Sequence, residues 1–283
     1  MQMIRIGGAL NLAAELKHYA AFPNRNGGIA VRSEGGSSVK TIGLIGGMSW
    51  ESSIEYYRII NEVVHKRLGG LHSAINIMYS LDFAEIEALQ HQGRWEEATQ
   101  LMVEAARHVE DGGADFVVIC TNTMHRMANE VQEQIGIPLL HIADATAEKI
   151  KAQGLGRVGL LGTRFTMEED FYRGRLIERH GLQVIIPGEK EREIVHRVIY
   201  DELVVGDIRP SSKVRYIEII KGLVADGAEG IILGCTEIGL LVGQGDIEVP
   251  VFDTTLIHAT AAAEYALGDY DRRGGKLGDG VSE

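Results

Sequence analysis

Two cysteines in 283 residues, Cys120 and Cys235, are too few for a disulfide framework, and they stand 115 positions apart. That scarcity points to a reducing, cytoplasmic compartment with both thiols free for chemistry. Basic charge is short as well: 28 Lys and Arg against 40 Asp and Glu leave a formal net charge of −12. Nucleic-acid binding needs a basic footprint for phosphates, and the chain shows none overall, so no nucleic-acid partner is expected. No apolar run approaches the roughly 18 residues that cross a bilayer, which implies a soluble protein with no membrane partner. No zinc-ligand spacing surrounds Cys120, His125 and His141, so packing or solvent contact is the expected role of both histidines. GLIGGM, from Gly43, has neither the G-x-G-x-x-G fingerprint nor a Walker lysine and reads as a tight strand-to-helix turn.

What is present is regular. Hydrophobic residues make up 45% and charged residues 24%, ordinary for a globular enzyme. Residues 1–39 are locally basic and turn-rich (NRNGG, EGGSS); they read as a disordered extension, with one short helix possible over Ala9 to Ala21. From Lys40 onward, short apolar, β-branched runs (TIGLIGG, INIMYS, DFVVIC, IPLLHI) alternate with helical stretches such as Glu51 to Arg67, Trp95 to Asp111 and Met124 to Gln134. A second set follows: RVGLLGT, LQVIIPG, EGIILGC and VPVFDT, with helices near Glu168 to His180, Glu189 to Asp201 and Ser212 to Asp226. Such alternation implies βαβ crossovers and parallel sheets covered on both faces.

The second set repeats the first. GLIGGM matches GLLGTR, Gly113-Ala114-Asp115 matches Gly227-Ala228-Glu229, and Ile137-Pro138 matches Val249-Pro250. The duplication spans about 115 residues, too long for a solenoid period. The expected fold is α/β: two pseudo-symmetric Rossmann-like lobes, 40–154 and 155–268, each a mostly parallel sheet flanked by helices, with the active site in the cleft between them. The C-terminal helix is expected to pack back on lobe 1, and residues 269–283 to form a flexible tail.

Open parallel sheets bind ligands beyond the carboxyl ends of their strands, so ICTNT and ILGCTE should meet in the cleft. Aligning the Gly-Ala-acid anchors sets Cys235 opposite Thr121 and Gly234 opposite Cys120. Because side chains alternate along a strand, that offset turns Cys120 toward packing, although it stays the fallback for the first catalytic position. A thiol between a strand end and a helix start should have a lowered pKa, which suits Cys235. Thr121, Asn122, Thr123 and Thr236 offer hydroxyls, an amide and main-chain donors to a carboxylate. Glu168, Glu169 and Asp170 read as a helix N-terminus, and Tyr56-Tyr57 and Phe171-Tyr172 as packing residues.

These motifs carry a resemblance. From about Thr41 to Leu267 the chain is similar to the aspartate/glutamate racemase family through TIGLIGGMSWES, GGADFVVICTNTMH, GLLGTRFTMEEDFYRGRL and GAEGIILGCTEIGLL. The resemblance implies a cofactor-independent isomerase, using neither pyridoxal phosphate nor metal, that interconverts L- and D-amino acids by two-base proton transfer at the α-carbon. Aspartate and glutamate are the implied substrates, Cys235 and Thr121 the implied pair, and a homodimer the implied assembly. Met48, Ser49, Gln90 and Thr166 are implied to border the substrate. The family's first-half Cys-Asn-Thr is here Thr121-Asn122-Thr123, as in a subgroup with L-aspartate/glutamate-specific or broad amino-acid racemases. The arginine that follows the second strand in aspartate-specific members is absent from MYSLDFAEIEALQ; Arg164 and Arg173 are substitutes, with surface salt bridging the plainer fate of either. Two alternatives stand beside this reading: a dicarboxylic-acid isomerase or decarboxylase using the same cleft, and an amino-acid binding protein without turnover.

Overall fold

A computed structural model describes residues 21–23, 29–31 and 39–268. The expected disorder of residues 1–39 and 269–283 falls outside the described residues, as does nearly all of the helix expected over Ala9 to Ala21. The exception is an antiparallel pair, β1 (Ala21–Pro23) and β2 (Ile29–Val31), with Phe22 opposite Ala30. It belongs to a separate compact unit that ends at Val39.

In the second unit the chain runs through β3 (Ile42–Gly46), α1 (Trp50–Leu68), β4 (Asn76–Ser80), α2 (Phe83–His91), α3 (Trp95–Asp111), β5 (Phe116–Ile119), α4 (Ala128–Glu133), β6 (Leu139–Leu140) and α5 (Ile142–Ala152). It then repeats: β7 (Arg157–Gly162), α6 (Arg164–Glu168), α7 (Arg173–Glu178), β8 (Gln183–Ile185), α8 (Glu189–Asp201), α9 (Pro210–Ala225), β9 (Gly230–Gly234), α10 (Ile238–Leu241), β10 (Val251–Asp253) and α11 (Thr254–Ala266). The two sheets have the same order, β4-β3-β5-β6 and β8-β7-β9-β10, and every pairing is parallel.

The Gly-Ala-acid anchor does the same job in both halves. The Asp115 carboxylate accepts the Thr41 N–H at 2.6 Å, and the Asp115 N–H donates to the Thr41 carbonyl. In the second half the Glu229 carboxylate accepts the N–H groups of Gly156 and Arg157 at 2.9 and 2.8 Å, and its own N–H donates to the Arg157 carbonyl. Each acid thus pins the start of the central strand, fixing the register that brings the strand ends to the cleft.

Alternation divides the first lobe's core. Phe116, Val118 and Cys120 pack with Ile42 and Leu44 on the α1 side, while Val117 and Ile119 join α2 and α3 on the other. The small face of α11, Ala259, Ala262, Ala263 and Ala266, lies against Tyr56, Ile60 and Val64 of α1, so this last helix completes the first lobe's core. The second lobe has one continuous core of Ile, Leu, Val and Tyr side chains.

Several expected elements are adjusted. The helix expected over Met124 to Gln134 opens as a 3-10 turn, Thr123–Met127, before α4. The one expected over Glu168 to His180 is two short helices, so Glu168 ends α6 and Glu169 caps it, the reverse of a helix N-terminus. Thr163 sets the earlier start, its hydroxyl capping α6 by accepting the Thr166 N–H, while Glu168 binds Arg192 at 2.7 Å and Glu169 pairs with Arg126. Tyr56 and Tyr172 are fully buried, whereas Tyr57 faces solvent.

Gly47 follows β3 with φ at +90°, and an added Cβ would overlap the Leu81 backbone. Gly47→Ala therefore combines left-handed strain with a clash that no side-chain rotation relieves, and stability should fall by about 3 kcal/mol or more. Urea unfolding checks this; a loss under about 1 kcal/mol would show that the turn relaxes.

Candidate active site

The carboxyl ends of both sheets open on one cleft enclosing about 340 Å³ of empty space, part of it continuous with solvent. Thr121, two residues beyond β5, and Cys235, one beyond β9, both line it. Each is 9% exposed. Met48, Gln90 and Thr123 join them from the first half; Thr163, Glu237 and an apolar wall of Ile199, Tyr200 and Val204 come from the second, with Phe83 closing the first-half side.

Cys120 takes the other direction. Its thiol is 1% exposed within the core shared by α1 and α11, and burial pushes its pKa up. Strand alternation is the cause: Cys120 follows Phe116 and Val118, whereas Thr121 follows Val117 and Ile119 round to the cleft.

Four of the expected substrate contacts do not line the cleft. Thr166 is fully buried behind Thr163, with the two hydroxyls 3.2 Å apart, so Thr163 holds the cleft position. Asn122 turns into the lobe and donates to the Thr254 hydroxyl at 3.0 Å. Ser49 and Thr236 hydrogen-bond Glu237 at 2.8 and 2.7 Å. Arg164 is exposed and Arg173 half-buried, and neither reaches the cleft, whose lining holds no lysine or arginine.

Sequence reasoning passed over Glu237. This carboxylate is 4% exposed, and its Oε1 accepts from Ser49 Oγ at 2.8 Å and Ser52 Oγ at 2.6 Å. Its Oε2 accepts from Thr236 Oγ1 at 2.7 Å and from the Cys235 thiol at 2.9 Å. The expected lowering of the Cys235 pKa is therefore overturned. Burial, then the charge and hydrogen bond of Glu237, push the thiol well above its ordinary value. Backbone N–H groups pull the other way, but the helix that follows, α10, has only four residues and little dipole to offer.

The two halves meet around the cleft through matched contacts. Tyr200 donates to Gln90 Oε1 at 3.1 Å, and Thr123 and Thr163 hydroxyls lie 3.1 Å apart. Trp95 meets Phe165 edge to face with ring centres 5.1 Å apart, and the Arg126 guanidinium sits 4.1 Å over Trp95 while pairing with Glu169.

Beneath Thr121 three buried histidines touch. His125 Nδ1 donates to the Thr121 carbonyl at 2.7 Å, while its Nε2 accepts the Ile142 N–H, which fixes one neutral tautomer. The His141 ring lies 4.6 Å from it and caps α5 by accepting the Ala143 N–H. The His258 ring, 5.6 Å from His125, accepts from Tyr56 and donates to the Leu140 carbonyl. Burial holds all three below their ordinary pKa, His125 at about 3 and His258 at about 4. Among the described residues no group of three or more His, Cys, Asp and Glu is arranged to hold a metal ion, and no helix is long and apolar enough to cross a membrane.

Comparison with known proteins fits this geometry. The profile of the Asp/Glu/hydantoin racemases matches residues 45–262. The chain belongs to that family. It is an isomerase, and its fold recurs in a solved structure of a candidate Asp/Glu racemase from Yersinia pestis: 58% identity, TM-score 0.76, covering 81% of this chain and 99% of that one. An aspartate racemase homologue from Pyrococcus horikoshii OT3 is 37% identical with TM-score 0.70, over the same 81% and 99%. Among characterised relatives, a broad specificity amino-acid racemase of Bacillus subtilis is 23% identical over 167 residues, 56% of this chain and 68% of the relative.

Proposed function

We propose that the chain interconverts the L- and D-enantiomers of an amino acid by two-base proton transfer at the α-carbon, with Cys235 serving one face and Thr121 the other. One observation carries this reading: equivalent strand ends of a duplicated fold bring a thiol and a hydroxyl to a single cleft. Inversion requires a proton to leave one face and another to arrive on the opposite face, which two facing lobes can provide. Thr123 and Thr163 are the anchors for the α-carboxylate.

The resemblance implies aspartate and glutamate, yet the lining offers a second carboxylate no cation. Burying that charge beside Glu237 without a partner costs several kcal/mol, more than Gln90 and the Thr hydroxyls return. Met48, Phe83, Ile199, Tyr200 and Val204 suit an uncharged chain instead, with Gln90 for a polar tip. Neutral amino acids of medium length are thus favoured over dicarboxylates, and the same argument counts against dicarboxylic-acid isomerisation or decarboxylation.

Incubating L- and D-amino acids with the protein in heavy water and following the α-proton by NMR tests both levels. The expected result is exchange at least about tenfold faster for methionine, glutamine or norleucine than for aspartate, a difference of about 1.4 kcal/mol. Exchange confined to aspartate and glutamate would reverse the ranking while keeping the reaction. Silence across the whole panel, with ligand binding intact, would favour the binding-protein alternative.

A further inference from the structure

The Glu237 carboxylate sits where the reaction needs a proton acceptor, in a cluster with an uneven proton count. Six close contacts, from 2.6 to 3.2 Å, join Ser49, Ser52, Thr236, Cys235 and Glu237. With Glu237 ionised, three hydroxyls and one thiol supply only four protons for those six contacts. A fifth proton can be taken up without displacing any of the others. The carboxylate's four partners are all neutral hydroxyl or thiol donors.

We infer that Glu237 is the internal base that primes Cys235, receiving the thiol proton at Oε2 so that the thiolate can take the substrate's α-proton. In the first step the S–H bond breaks and an O–H bond forms; the pair keeps one negative charge, now on sulfur. In the second, the Cα–H bond breaks and S–H re-forms, leaving the electron pair on the α-carbon. The cluster then holds five protons across its six contacts. The inference rests on the racemase reading of the same cleft.

Two of the donors come from the other half of the fold. Ser49 and Ser52 stand at the start of α1, whereas Cys235, Thr236 and Glu237 follow β9. Three tyrosines feel the charge of the pair: Tyr56 of α1, Tyr200 of α8 and Tyr216 of α9. All three are raised by burial and are neutral near pH 7. Tyr200 in turn stands between the pair and two histidines, His91 and His196, whose ring centres lie 5.5 and 4.8 Å from its own.

An internal transfer has a pH signature that a purely structural role lacks. Because the proton never leaves the pair, kcat for the preferred amino acid in the wild-type protein should be flat between pH 6 and 8. In Glu237→Gln the thiol must lose its proton to water, so kcat should be about 10- to 100-fold lower at pH 7 and rise about tenfold per pH unit, with KM within about threefold. A Gln variant that keeps a flat profile, whether at full or reduced kcat, overturns the inference, as does a loss expressed only in KM. Should Glu237→Gln fail to fold, alkylation of wild-type Cys235 by iodoacetamide, read by mass spectrometry with buried Cys120 as the internal control, decides between the outcomes. A rate flat from pH 6 to 8 supports internal transfer; a tenfold rise per unit overturns it. If the wild-type protein exchanges no amino acid at all, the racemase reading fails instead, and the alkylation profile still reports on the pair.

Discussion

Cys235→Ala should abolish α-deuterium incorporation, with a loss of at least about 10³-fold, because it removes the acid-base group on one face and nothing else in the cleft replaces a thiolate. Thr121→Ala should behave differently. The enantiomer that presents its α-proton to Cys235 keeps exchanging within about threefold of the wild-type rate, while conversion to the mirror form falls about 10²-fold or more. Running NMR exchange and chiral chromatography on the same samples separates the two quantities. Cys120→Ser should change neither by more than about twofold, since that side chain is sealed between β5 and α1. Loss of exchange in Cys120→Ser with retention in Thr121→Ala would refute the strand register on which the assignment depends.

Acid should begin to destabilise the protein below about pH 6.5, before its carboxylates protonate. His125, His141 and His258 all have depressed pKa values in the folded state, so each stays neutral there while its unfolded counterpart binds a proton below about pH 6.5. Above that pH neither state is protonated and stability is independent of the three. As pH falls, the unfolded state gains about 1.4 kcal/mol per pH unit from each histidine, or about 4 kcal/mol per unit together. The loss continues until the folded-state values are reached, about 4 for His258 and about 3 for His125. Nearby Asp144 reduces the penalty of protonation, and Arg175, bound to it at 2.7 and 2.6 Å, adds to it. With a total stability of order 5–15 kcal/mol, the acid midpoint should fall between about pH 3.5 and 5.5. Urea denaturation at pH 7, 6 and 5 measures the slope. His141→Asn keeps an acceptor at the start of α5 and removes one titrating ring, so the slope should drop by about a third. Equal stability at pH 7 and pH 5 would mean that the histidines are protonated without unfolding.

The architecture was legible in the sequence because it rests on repetition. Matching Gly-Ala-acid anchors and eight apolar runs are local signals, and the structure uses Asp115 and Glu229 alike to set strand register. The cleft position of Thr121 and the core position of Cys120 follow from the same register. What escaped depends on which neighbour burial selects. Helix α2 was missed in DFAEIEALQ, although Asp82 followed by Glu85 is a start signal, and Asp82 caps it by accepting the Ala84 N–H. Thr163 and Thr166 are three residues apart at the start of a short helix, and spacing alone does not say which one faces the cleft. Glu237 was visible as an acid two residues beyond the cysteine in ILGCTEIG. Its role was not, since its serine partners lie more than 180 positions away. The thiol pKa was misjudged because a dipole can be read from sequence, whereas desolvation and a buried carboxylate cannot.

The alanine face of α11 has a consequence for the history of this fold. A duplicated gene first yields two copies that can, in principle, stand apart. Here the last helix of the second copy serves as the wall of the first, and the Lys40 N–H, at the entrance of the first copy, donates to the Ala266 carbonyl at 2.9 Å. Cutting between Gly154 and Leu155 would release one half with Tyr56, Ile60 and Val64 uncovered and another carrying an orphaned strip of alanines. The two halves are thus interdependent, each leaving apolar surface bare without the other.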